Sequence, residues 1–169
     1  MELKYPKNGK VTKKKIKIHT RQKTKSLILK AMHDVWSLTV RFHDNNQCQW
    51  CGSFNNPQAH HIVARGRLKG KVFGCFDIRN GMCLCYHCHM HRLKRETDEY
   101  NEIRDNYLHG KGLNYRLMVK MYSITTKYTN KDLLLIYRHK LCSYLLIQDI
   151  SFQENIDKIT KRWLSKIEL

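Results

Sequence analysis

Residues 79–91 read RNGMCLCYHCHMH, and the spacing of their cysteines decides the fold. Cys85 and Cys88 in CYHC form a C-x2-C pair, and CQWC upstream supplies a second pair, Cys48 and Cys51. Each pair turns two thiolates to one side of a tight loop, and two such pairs complete a tetrahedral zinc site. Cys83 competes with Cys85 as a ligand, although CLC is a poorer knuckle than CYHC. The chain from Gly52 to Leu84 is longer than in a minimal ribbon and has room for a hairpin that returns to the metal. A two-Cys two-His finger is excluded, because His60 follows Cys51 too closely and no suitably spaced second histidine follows.

Working outward, the segment QAHHIVARG at 58–66 carries His60 and His61, Asn80 precedes the second pair, and His89 directly follows it. Three polar residues in the order His, Asn, His are thus threaded through two cysteine pairs. A basic loop follows the histidines, with Arg65, Arg67, Lys69 and Lys71 as candidate phosphate contacts. The chain has seven cysteines, an odd number, and its N-terminus lacks the apolar stretch of a secretory signal. A disulfide framework is therefore not expected, and a reduced, intracellular and cytoplasmic setting is. Cys75 and Cys142 read as small hydrophobes.

The 169 residues suffice for one domain or a small core with extensions. A formal net charge of +18 suits a polyanionic partner. Its excess begins at the N-terminus, where Lys4 through Lys30, including Lys13, Lys14 and Lys15, face only Glu2 as an acid. Residues 1–22 are expected to be a flexible basic arm that binds nucleic acid. No run of about 18 apolar residues occurs, so no membrane partner is expected.

Helical periodicity predicts an N-terminal helix over about Lys23–Phe42, with Ile28, Met32, Val35, Thr39 and Phe42 in one stripe and Trp36 beside it. Short strands are expected around Ala59–Val63 and Met82–Leu84, and a helix from near Tyr86 to Leu93. Beyond Arg95 the pattern is helical over Asp98–Leu108, Asn114–Tyr122 and a longer stretch from Thr129 to about Gln148. SFQE at 151–154 reads as a capping box opening a last helix with Ile156, Ile159, Trp163 and Ile167 inward. The expected organisation is a basic arm (1–22), an N-terminal helix (23–47), a zinc and site module (48–96) and a helical region (97–169). The fold class is α+β.

The matching text Trp36-Ser37, Arg41, Asp44, Cys48, Cys51, His61, Phe76-Asp77, Asn80, Cys85, Cys88 and His89 resembles the HNH endonuclease family, most closely the phage NinG/Rap type of recombination nuclease. The resemblance covers roughly residues 35–109. It implies a zinc-stabilised ββα-metal module of treble-clef type, embedded between helices. It further implies a metal-dependent endonuclease that hydrolyses DNA and leaves 5′-phosphate and 3′-hydroxyl ends. In that scheme His61 is the general base and Asn80 tethers the loop that carries the base. His89 holds a catalytic Mg²⁺ or Mn²⁺, with His60 at the position of a second ligand and His87 or His91 as alternatives to it. Zn²⁺ on the four cysteines is structural. Branched DNA intermediates are the implied substrates, and a homodimer would suit paired cuts in a four-way junction. Two other readings stay open: a non-catalytic zinc module that binds DNA or RNA, and an HNH nuclease serving phage DNA packaging or homing.

Overall fold

The computed structural model describes residues 11–68, 72–93, 97–123, 129–145, 150–164 and 166, and side chains outside 11–23, 72, 130, 138, 140–145, 150 and 164. The element order is α1 (Val11–His43), β1 (Pro57–His61), α2 (Val72–Phe76), β2 (Gly81–Cys85), α3 (Asp98–Gly110), α4 (Tyr115–Met121), α5 (Asn130–Leu145) and α6 (Ile150–Leu164). Among the described residues the protein is thus mixed, mostly helical, with one small antiparallel sheet.

α1 is longer than its apolar stripe predicts. The stripe Ile28, Ala31, Met32, Val35, Trp36 and Val40 is buried and forms a core with Leu133 and Tyr137 of α5 and Phe152 and Ile156 of α6. Helix formation extends back to Val11, so residues 11–22 continue the helix rather than forming the expected flexible arm. The side chains of Lys13, Lys14 and Lys15 lie outside the described residues, as does the segment before Val11. The helix ends where Asn45 and Asn46 take positive φ, a conformation asparagine tolerates better than most residues. The Asn46 amide closes the end by donating to the Arg41 carbonyl at 2.7 Å.

β1 and β2 pair antiparallel with Pro57 opposite Cys85 and His61 opposite Gly81. Their bounds lie within two residues of the expected strands. At the His61 end a Cβ on Gly81 would stand 2.1 Å from Val40 Cγ2, so only glycine lets the sheet lie against α1. Asp44, just past α1, grips the opposite edge. Its carboxylate accepts from the Cys83 amide at 2.7 Å and from Lys111 Nζ at 3.1 Å, and Tyr107 places its hydroxyl between Asp44 and the Gly81 carbonyl. A second core unites the sheet with α3 and α4 through Ile62, Met82, Leu84, Tyr100, Leu108 and Met118.

The last helix starts two residues earlier than the capping-box reading requires, at Ile150 rather than Phe152. Ser151 lies inside α6, where its carbonyl accepts from Asn155 Nδ2 at 2.8 Å. Thr129 does cap α5, its hydroxyl accepting the Asp132 amide while Asp132 accepts from Thr129 in return. α2 has no counterpart among the sequence-based expectations, because five residues are too few to show a helical period. Among the described residues no helix is long and apolar enough to cross a membrane.

Candidate functional site

The two cysteine pairs converge. The sulfurs of Cys48, Cys51, Cys85 and Cys88 all lie within 4.8 Å of one another, with three of the residues buried and Cys51 exposed. The first loop is closed by Gly52, whose amide donates to the Cys48 carbonyl at 2.8 Å and whose φ of 74° excludes a side chain without strain. The Gln49 amide donates to the Cys83 carbonyl at 2.9 Å, which sets that loop against β2. In the second loop the Cys88 amide donates to Cys85 Sγ at 3.4 Å. Burial works to raise the Cys48 thiol, but amides of Cys85, Cys51 and Trp50 outweigh it and draw the pKa down to about 7. Burial pushes Cys88 up, and its sulfur neighbours add to the effect. Four sulfurs cannot all ionise at this spacing without a cation, and tetrahedral Zn²⁺ is the ion whose chemistry fits this donor set. Cys83 stands outside the cluster, buried and raised to about 12 by desolvation and the Asp44 charge. Cys75 is half-buried beside Leu68, and the Cys142 side chain lies outside the described residues.

The adjacent histidines part company, because successive side chains of a strand point to opposite faces. His60 is buried toward α3, its Nε2 3.1 Å from the Tyr100 hydroxyl, and its ring lies edge-on to His89 with centroids 5.2 Å apart. His89 Nδ1 is 2.7 Å from Gln58 Oε1. An amide oxygen only accepts, so in the neutral ring Nδ1 carries the proton and the lone pair is on Nε2. His87 and His91 are exposed and lie against each other, centroids 5.6 Å apart, so the imidazole that meets His89 is His60.

His61 points the other way and is only 6 % exposed. Its ring stacks on the Trp36 indole at 3.8 Å with planes 20° apart. Its Nε2 is 2.9 Å from the Cys75 carbonyl oxygen. That oxygen can only accept, so Nε2 bears the proton and the lone pair of the neutral ring is on Nδ1, the nitrogen able to take a proton. Asn80 fixes this arrangement from beneath. It is fully buried, accepts from the Val63 amide at 2.7 Å, and donates to the Val63 and Gly74 carbonyls at 3.3 and 2.9 Å. One side chain therefore joins the exit of β1 to the peptide just before Cys75, whose carbonyl receives His61.

Trp36 is held in turn. Its Nε1 donates to the Asp77 carbonyl at 3.0 Å, and the Asp77 carboxylate takes two bonds from the Arg79 guanidinium and one from the Arg79 amide. Burial tends to raise Asp77, but the Arg79 bonds and charge prevail and its pKa falls below the ordinary 3.8. Arg65 and Arg67 are exposed on the turn after β1, while Lys69 and Lys71 lie outside the described residues. Burial lowers the pKa of His33 and the Arg65 charge lowers it further, while burial raises Cys75 and the same charge offsets part of that effect.

Trp36, Tyr100, Gln58 and Asp44 owe their places at the site to tertiary contacts. Periodicity assigns Trp36 and Tyr100 to apolar stripes, and only the stack and the hydroxyl contact reveal their polar tasks. Comparison with family models, curated proteins and solved structures found no match for the chain.

Proposed function

We propose that this protein is a metal-dependent endonuclease of the HNH type, its sheet and the short helical segment 86–92 that follows β2 forming a ββα-metal module around structural zinc. The observation that carries the reading is the joint task of Asn80. It braces the segment whose carbonyl sets the His61 tautomer, while the same sheet pairs His60 with His89. His61 takes the proton from the attacking water at Nδ1, its ring held by the Trp36 stack. Arg65 meets a phosphate oxygen. A net charge of +18 favours DNA as the substrate through backbone contacts, with little reading of base sequence.

His60 and His89 fit a shared cation. They would hold it through ring nitrogens, the two ring centroids lying 5.2 Å apart. When bound, such an ion supplies positive charge to the scissile phosphate and its leaving oxygen. Neutral imidazole ligands suit Mn²⁺ better than Mg²⁺, which prefers oxygen.

The test is cleavage of linear, nicked, single-stranded and four-way-junction DNA with Mg²⁺, Mn²⁺ or no added metal. Wild-type protein should cut in a metal-dependent manner, and His61→Ala should lose cutting by roughly 10²–10⁴-fold, the worth of a general base, with zinc content unchanged. DNA binding without cutting under every metal condition, or full activity in His61→Ala, would overturn the proposal in favour of a binding module.

A further inference from the structure

α1 brings a second imidazole to His61. His33 lies one turn before Trp36, its ring centroid 6.0 Å from that of His61 with planes 25° apart, and 5.7 Å from the indole. The two histidines differ in access. His61 is 6 % exposed, whereas the His33 side chain is 38 % exposed, so His33 is the imidazole of the pair that reaches solvent. Arg65 is exposed on the turn after β1, and its charge opposes protonation of His33. The Asp34 carboxylate lies 4.0 Å from His33 Nδ1, beyond hydrogen-bond length, and instead accepts from Trp163 Nε1 at 2.6 Å. His33 and His61 thus stand side by side on α1 and β1, far apart in sequence, and Arg65 follows β1 on its exposed turn.

We propose that His33 is a further catalytic residue, donating a ring N–H to a non-bridging oxygen of the phosphate that His61 serves, with Arg65 on a second oxygen. The two rings stand 6.0 Å apart, so the phosphate whose oxygen His33 would meet lies beside the water that His61 Nδ1 would deprotonate. Burial and the Arg65 charge both oppose protonation of His33, with Asp34 acting weakly the other way, so the ring is a neutral donor near pH 7. The inference rests on the nuclease reading above.

The experiment compares kcat and KM for metal-dependent DNA cleavage by wild type, His33→Ala, His33→Asn and His33→Gln, with melting temperature and zinc content measured alongside. The Ala variant should lose roughly ten- to hundredfold in kcat/KM, the worth of one hydrogen bond to a charged group, at unchanged stability and zinc. Asn and Gln place an amide N–H near the Nδ1 and Nε2 positions respectively, and one of them should recover most of the loss. Wild-type kcat/KM in His33→Ala, or a loss that follows a fallen melting temperature and is recovered by neither amide, would overturn the proposal. If wild type cuts DNA and His61→Ala does not, such a result sinks His33 alone. A wild type that never cuts sinks both readings.

Discussion

Replacing Asn80 by alanine tests the central joint of the site. The side chain is fully buried and makes three hydrogen bonds, each to a main-chain group of a different peptide or direction: Val63 N–H, Val63 C=O and Gly74 C=O. Each such bond contributes about 1 kcal/mol net, and a buried donor left without a partner costs about 1–3 kcal/mol. The loss should therefore be about 3–5 kcal/mol, a large share of the total stability of a domain this size. Asn80→Asp sharpens the argument. It keeps the acceptor for Val63 N–H but turns acceptor oxygens toward two carbonyls, so it should be no better than alanine. Urea unfolding in zinc-containing buffer, followed by far-UV circular dichroism, gives the free energies. Cleavage measured well below the unfolding transition should fall in both variants, because the Cys75 carbonyl that orients His61 is no longer braced. A destabilisation below about 1 kcal/mol would mean that water replaces the amide and that the residue is not the tether described. Full cleavage by a destabilised variant would separate the tether from the chemistry.

Gly81→Ala should destabilise by about 1–3 kcal/mol or more through overpacking against Val40. Val40→Ala removes both methyls that lie within 2.9 Å, so the double variant should melt above Gly81→Ala, and a failure to do so would reject the clash as the cause. Purified protein should carry about one zinc per chain. Cys85→Ser should lose it and Cys83→Ser should keep it, as elemental analysis will report, since Cys83 lies outside the sulfur cluster. Asp77 has a depressed folded pKa, so its contribution to stability is present above 3.8 and is lost as pH falls through the folded value. The stability gap between wild type and Asp77→Asn should accordingly narrow as pH drops below 3.8, and a gap independent of pH would refute the Arg79 pairing.

Each cysteine pair was legible in the chain itself because C-x2-C is a local geometry: three peptide units of one tight turn bring two sulfurs together. The helical stripe of α1 and the two strands were legible for the same reason, since periods of 3.6 and 2 are properties of short segments. The start of α1 was misplaced. Charge density argued for a disordered arm, yet lysine is a good helix former and an existing helix extends at little cost once nucleated.

The choice of Cys85 over Cys83, and of His60 over His87 or His91 as the companion of His89, was open in the sequence and is decided by pairing register and by which side of β1 faces α3. His33 and Trp36 are separated from His61 by more than twenty residues, and no spacing rule joins them. They meet because Gly81 lets the sheet approach α1, a contact between surfaces that no local pattern encodes. Short-range geometry thus sufficed to single out the two cysteine pairs, whereas the convergence of their sulfurs and the surroundings of the imidazoles exist only once the helix and the sheet are packed.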